Sequence, residues 1–265
     1  MQNNRVNLFI VVPVYNEEQN IIRLLSSIKN LQEKLSSSYD IETIVVDDGS
    51  RDSTVVGIEA NKQGLKITLL KHISNKGPGA SFATGFEYLS AKLKPVDWVV
   101  TMEGDNTSKS DILNHMLVRK EEGYDAVFAS PYIYGGRVQH VPGLRIFTTH
   151  VLTLLIKIIM NIRGLTAFSY FFRLYNGRVI LKLQERYGKR IVVSPGFEHA
   201  LEILAKMVIL NAKISEVDMT LSWAGKKGRS KMKFFRTIRG YLKIIFRFNY
   251  FRIKKEREYL KDAKS

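Results

Sequence analysis

The chain has no cysteine among its 265 residues. Disulfide frameworks, thiol nucleophiles and thiolate metal sites are therefore excluded, and the composition suits a reducing compartment. Long apolar runs are also scarce. Leu8 to Val14 is interrupted by Pro13 and is too short for a secretory signal peptide. Val151 to Met160 covers ten residues with Lys157 inside it, whereas a spanning helix needs about 20 apolar residues. That segment reads either as an interfacial helix or as core, and the expectation is a peripheral rather than an integral membrane protein. Internal repeats and low-complexity tracts are absent as well.

Acidic residues run short in one region only. The formal net charge is +16. Residues 226–265 hold 15 Lys and Arg against 3 Asp and Glu, while residues 1–225 hold 26 against 22. The basicity thus belongs to the tail, which argues against a nucleic-acid coat and for a nearly neutral body, 1–225, with a cationic attachment segment, 226–265. At 45% hydrophobic and 25% charged residues the chain has material for one large α/β domain with an appendage.

What is present alternates. Apolar strands are predicted at Asn7–Val12, Ile41–Val46, Lys66–Leu70, from Trp98, and at Ala126–Ala129, with helical periodicity between them. In the first helix Ile21, Leu24, Leu25, Ile28, Leu31 and Leu35 recur at three- and four-residue spacing, with Asn16 as the expected cap and Glu17 and Glu18 in the first turn. Strand and helix in alternation imply a doubly wound, mostly parallel sheet. Four successive strand exits carry polar or glycine-rich chemistry: Pro13-Val14-Tyr15-Asn16-Glu17-Glu18, Asp47-Asp48-Gly49-Ser50, Asn75-Lys76-Gly77-Pro78-Gly79 and Glu103-Gly104-Asp105. In an open sheet these exits line one edge, where ligands bind. Glu103 and Asp105, one residue apart at a strand's carboxyl end, are suited to hold a divalent cation with the oxygens of a diphosphate.

In order and spacing these four segments resemble the inverting family 2 glycosyltransferases of GT-A fold, most closely the branch of dolichyl-phosphate mannose and polyprenyl-phosphate sugar synthases. The resemblance covers about the first 130 residues. It implies a Rossmann-like, mostly parallel sheet flanked by helices, a nucleoside diphosphate sugar as donor, a polyprenyl phosphate as acceptor, and Mg2+ or Mn2+ as cofactor. It further implies that Pro13, Tyr15, Glu17, Asp47 and Asp48 hold the nucleoside, that Lys76 and Gly77 lie by the donor, and that Glu103 and Asp105 serve the metal and diphosphate. The family usually has Asp where Glu103 stands, so Asp105 is expected to be the direct ligand and the catalytic carboxylate. A nucleotidyltransferase of related fold is disfavoured, because Pro13-Val14-Tyr15 replaces the glycine-rich loop expected after the first strand.

The second half matches less closely. Arg137 and Arg145 resemble the arginines directed at a lipid phosphate, a role that suits the planar guanidinium fork. Phe172-Arg173-Leu174-Tyr175 resembles the end of the family's Asp-x-Thr-Ser-Gly-Phe-Arg-x-Tyr segment, carrying over Arg173, but the preceding Ala167-Phe168-Ser169-Tyr170-Phe171 lacks the acid and the glycine. Glu202 falls at the family's glutamate, as a base or an orienting group for the acceptor. Gly228-Arg229-Ser230-Lys231 resembles a loop whose Ser230 and Lys231 meet phosphate. Beyond it Phe234, Phe235, Ile238, Tyr241, Leu242, Ile245, Phe246 and Phe248 recur at helical spacing among Lys and Arg, predicting a basic amphipathic helix on an anionic membrane surface. The expectation is a peripheral enzyme on the cytoplasmic face of the membrane, with no nucleic-acid partner. Two alternatives remain: transfer to a sugar hydroxyl in polysaccharide or glycolipid synthesis, which needs a base, and a non-enzymatic membrane or nucleic-acid binding module.

Overall fold

The computed structural model describes residues 5–105, 111–222 and 237–249. Its main sheet has seven strands in the order β3-β2-β1-β4-β7-β5-β8. These are β1 (Val6–Val14), β2 (Tyr39–Asp47), β3 (Ile67–Lys71), β4 (Trp98–Thr101), β5 (Ala126–Ser130), β7 (Arg173–Asn176) and β8 (Ile214–Asp218). Only β7 runs antiparallel to its neighbours β4 and β5. A separate ribbon pairs β6 (Arg137–Gln139) with β9 (Thr220–Ser222).

Because successive strand residues face opposite sides, each strand feeds two cores. Leu8, Ile10, Val12 and Val14 of β1 join one core with α1 (Ile21–Leu35), α2 (Thr54–Asn61) and α4 (Ile112–Lys120). Phe9 and Val11 join the other, with α3 (Pro78–Ser90), α6 (Gly177–Tyr187) and α7 (His199–Ile209). Burial on both faces explains why these strands read as continuous apolar runs.

The structure corrects three expectations. Helix α1 begins at Ile21, with neither Glu17 nor Glu18 in its first turn. Asn16 does not cap it: Asn16 is left-handed, at φ 49°, and its side chain bridges to the next loop. Second, the apolar segment near residue 150 belongs to a longer helix, α5 (Gly143–Met160), which is long and apolar enough by length and composition to cross a membrane. Leu144, Phe147, Val151, Leu154, Leu155, Ile158 and Ile159 form an exposed stripe along it, while Ile156 and Met160 pack inward. Third, the tail is not a separate appendage throughout. Residues 237–249 are helical, and Tyr241, Ile244, Ile245 and Phe248, at the spacing of one helix face, are buried in the core shared by α3, α6 and α7.

Candidate active site

The strand order places the topological switch point between β1 and β4, since β2 and β3 lie to one side of β1 and β4 to the other. In such sheets the crevice opens at the carboxyl ends of the strands around that point. The four polar exits converge there and are laced to each other. From the first loop, the Asn16 N–H donates to Ser50 Oγ (2.9 Å) and the Glu17 N–H to Thr54 Oγ1 (2.7 Å). In return, the Arg51 N–H donates to Asn16 Oδ1 (2.9 Å). The fourth exit presses on the first: a Cβ on Gly104 would stand 2.5 Å from the Pro13 carbonyl oxygen. Glycine at 104 therefore lets Glu103 and Asp105 flank the Pro13-Val14-Tyr15 turn closely.

Each donor-side residue has a definite place. Pro13 and Tyr15 line the rim half-buried, and Lys76 is exposed on it. Glu17 is buried, and its Oε2 accepts from Asn20 Nδ2 (2.7 Å). The Asp47 carboxylate accepts from the Ser50 N–H at 3.2 to 3.3 Å. Asp48 is buried, and its oxygens accept from the N–H groups of Lys76 (2.9 Å) and Gly77 (2.8 Å) and from His72. Asp48 thus supports the loop carrying Lys76 and Gly77. Gly77, at φ 97°, passes so close to the Pro195 carbonyl that a side chain would strike it.

Glu103 and Asp105 are half-exposed at the end of β4. Hard carboxylate oxygens of this kind fit Mg2+ or Mn2+, which take oxygen ligands and share their shell with phosphate and water. Among the described residues no cluster of three or more His, Asp or Glu could hold a metal alone.

Around Arg145, expected to meet the acceptor, the structure brings together a group that the sequence did not single out. Tyr170 donates to the Tyr132 hydroxyl (3.2 Å), and Tyr132 packs on His150 of α5 with ring centroids 4.7 Å apart. Burial pushes the Tyr170 phenol far above its usual range. Tyr132 and Glu103 raise it further, and Arg145 opposes them. Glu103 and Arg145, in the first turn of α5, thus both act on Tyr170 and share its neighbourhood. Arg137 is exposed on β6. Ser230 and Lys231 lie outside the described residues.

Two expectations need correction. Arg173 is almost wholly buried and does not face an acceptor: its guanidinium donates to the carbonyls of Ala200 (2.7 Å), Ala167 and Phe168 (both 3.1 Å) and stacks over Phe128. It ties the 167–168 segment to α7. Glu202 is buried too, and its carboxylate accepts from the N–H groups of Val193 and Ser194 and from Lys206 Nζ (2.6 Å). A carboxylate so engaged is a poor candidate for a general base. The neighbouring Pro195 carbonyl accepts from the Gly79 N–H (2.8 Å) at the start of α3.

Comparison with known proteins agrees with this arrangement. The family described as "Glycosyl transferase family 2" matches residues 9–200. The chain is similar to the dolichol-phosphate mannosyltransferase of Pyrococcus furiosus, at 27% identity over 241 residues, covering 90% of this chain and 62% of that protein. It is also similar to the polyprenol monophosphomannose synthase of Mycolicibacterium smegmatis, at 23% over 227 residues, covering 84% and 80%. With the undecaprenyl-phosphate 4-deoxy-4-formamido-L-arabinose transferase of Shewanella sediminis it shares 31% over 120 residues, covering 44% and 34%. The chain thus spans less than two thirds of the length of the first and third of these relatives. Among solved structures, glucosyl-3-phosphoglycerate synthase from Mycobacterium tuberculosis in complex with Mn2+, UDP and glucosyl-3-phosphoglycerate superposes with a TM-score of 0.66 at 17% identity, covering 92% of this chain and 80% of that one. A likeness at that identity speaks to the fold alone. The motif order, the rim those motifs build and the family match over most of the chain lead to one conclusion: the chain belongs to glycosyl transferase family 2.

Proposed function

We propose that the protein is a metal-dependent, inverting glycosyltransferase that moves a hexose from a nucleoside diphosphate sugar to a polyprenyl phosphate at the cytoplasmic face of a membrane. One observation carries this reading. Helix α5 begins with Arg145 in the neighbourhood of Glu103 and then exposes seven large apolar residues in a stripe. A phosphate-binding cation at the head of a lipid-compatible helix, next to the donor rim, suits an acceptor that is charged at one end and apolar along its length. The relatives named for dolichol, polyprenol and undecaprenyl phosphates support the same acceptor class. The neighbour structures holding UDP with Mn2+ or Mg2+ support the donor and cofactor class.

In this reading Pro13, Tyr15, Glu17 and Asp47 receive the nucleoside, and Asp48 holds the loop that presents Lys76 and Gly77 to the diphosphate. Glu103 and Asp105 hold Mg2+ or Mn2+, which when bound neutralises charge on the departing diphosphate. Arg137 and Arg145, with Ser230 and Lys231, draw in the acceptor phosphate and aim it at the anomeric carbon opposite the diphosphate. A phosphate with a second pKa near ~6 is already largely dianionic at neutrality and needs no base. A sugar hydroxyl does need one, and the internal engagement of Glu202 therefore favours the phosphate acceptor. The basic face of residues 237–249, with Arg239, Lys243 and Arg247 directed away from the core, supports attachment to an anionic surface.

The test is direct. Incubation with UDP- and GDP-hexoses, Mn2+ and a polyprenyl phosphate should yield a lipid-linked sugar with one donor base, and Asp105→Asn should abolish it without loss of fold. Near-normal turnover by that variant counts against the assignment.

A further inference from the structure

We infer that His72 is a positioning residue for the donor, acting through Asp48 on the main chain of Lys76 and Gly77. The inference rests on the reading of the rim as the sugar-nucleotide site. His72 follows β3, with its side chain and that of Asp48 only 6% and 4% exposed. Nδ1 lies 2.7 Å from Asp48 Oδ1, an oxygen that also accepts from the Lys76 N–H, while Oδ2 accepts from the Gly77 N–H. A carboxylate gathering N–H donors in this way can only accept, so Nδ1 carries the proton. Nε2 lies 2.9 Å from Thr84 Oγ1, on α3, within hydrogen-bond reach. The ring's backbone is pinned as well, because the His72 N–H donates to the Asp47 carbonyl (2.8 Å).

The imidazole therefore bridges two rigid elements, the end of β2 and the body of α3, and fixes the plane of the carboxylate between them. That plane decides where the two loop N–H groups sit. The loop has little other freedom: a Cβ on Gly49 would stand 2.7 Å from the backbone of Ser74, and Gly77 is hemmed in by Pro195. A leucine in place of His72 would fill the same space while leaving Asp48 held from the loop side alone. The carboxylate is then free to turn and loses its aligned hold on the Lys76 and Gly77 N–H groups. Outer groups that orient a ligand-holding residue commonly matter ~10- to 100-fold in affinity.

Titration calorimetry of UDP and GDP with Mn2+ on the full chain tests this, together with donor KM, acceptor KM and kcat. His72→Leu should weaken the nucleotide that the wild type binds by ~10-fold and raise donor KM alike, leaving acceptor KM unchanged. His72→Asn, whose amide N–H takes the place of Nδ1, should recover most of that loss. Where His72→Leu fails to fold, Thr84→Val serves in its place: it keeps the Asp48 contact but frees the ring, and should raise donor KM by a smaller factor than removal of the ring. A folded His72→Leu protein with wild-type nucleotide affinity overturns the inference, and so does His72→Asn binding no better than His72→Leu. A wild type that binds neither nucleotide overturns the donor reading itself, and this inference with it.

Discussion

At the residue scale, the buried polar groups separate structural from chemical roles. Were Glu202 a general base, Glu202→Gln would lower kcat by ~10²- to 10⁴-fold. The hydrogen bonds from Val193, Ser194 and Lys206 lead to a different expectation. Glu202→Gln should cost ~1–3 kcal/mol of stability, the usual consequence of leaving buried partners unsatisfied, and should raise donor KM through the Pro195–Gly79 contact while leaving the pH–rate profile unmoved. Thermal unfolding and a pH–rate series on the same protein check both parts. His199 gives a pH signature of its own. Burial between Phe82 and Phe171 depresses its imidazole from 6.5 to about 3, and Arg173 contributes in the same direction. The unfolded chain therefore binds the extra proton between those two values, and the fold should lose ~1.4 kcal/mol per pH unit as pH falls below 6.5. Unfolding free energies at pH 6.5 and 5, for wild type and His199→Leu, should show that slope in the first and its loss in the second.

At the scale of elements, α5 holds the most specific expectation. Its outward face is apolar apart from the exposed His150, and Arg145, Thr149 and Lys157 lie on flanks that are not fully exposed. Leu154→Glu with Ile158→Glu places charge on residues that are 58% and 68% exposed. At a salt concentration that screens the basic face of residues 237–249, the pair should sharply weaken co-sedimentation with vesicles and leave both thermal stability and nucleotide affinity unchanged; undiminished vesicle binding under those conditions would remove α5 from the membrane contact. The same helix shows where sequence reading stops. The apolar segment read from the sequence starts only at Val151 and covers ten residues, because Thr148, Thr149 and His150 precede it, whereas the folded helix continues back to Gly143. The strands were far more legible. Double-sided burial makes the five expected strands continuous runs, and their observed ends differ from the expected ones by at most two residues, whereas the short β6, β7, β8 and β9 were not expected. The start of α1 was not legible, since Asn16 suits both a cap and a left-handed bridge, and the choice is made by Ser50 and Arg51, more than thirty residues away. His72 gave no signal for the same reason: its partners Asp48 and Thr84 are brought to it only by the fold.

For the whole molecule, the four polar exits were readable as motifs, and the fold adds their mutual arrangement around the β1–β4 switch point. It also revises the division at residue 225. Tyr241, Ile244, Ile245 and Phe248 fill the core beside α7, so truncation before residue 237 should lower the unfolding temperature rather than release an intact catalytic body. The account stands or falls on the rim binding a sugar nucleotide with a cation held by Glu103 and Asp105. The most direct measurement is calorimetric titration of UDP and GDP with and without Mn2+, on wild type and Asp105→Asn. The account predicts metal-dependent binding of one nucleotide by the wild type and its loss in Asp105→Asn at unchanged thermal stability. Binding of neither nucleotide, or equal binding by both proteins, would contradict it.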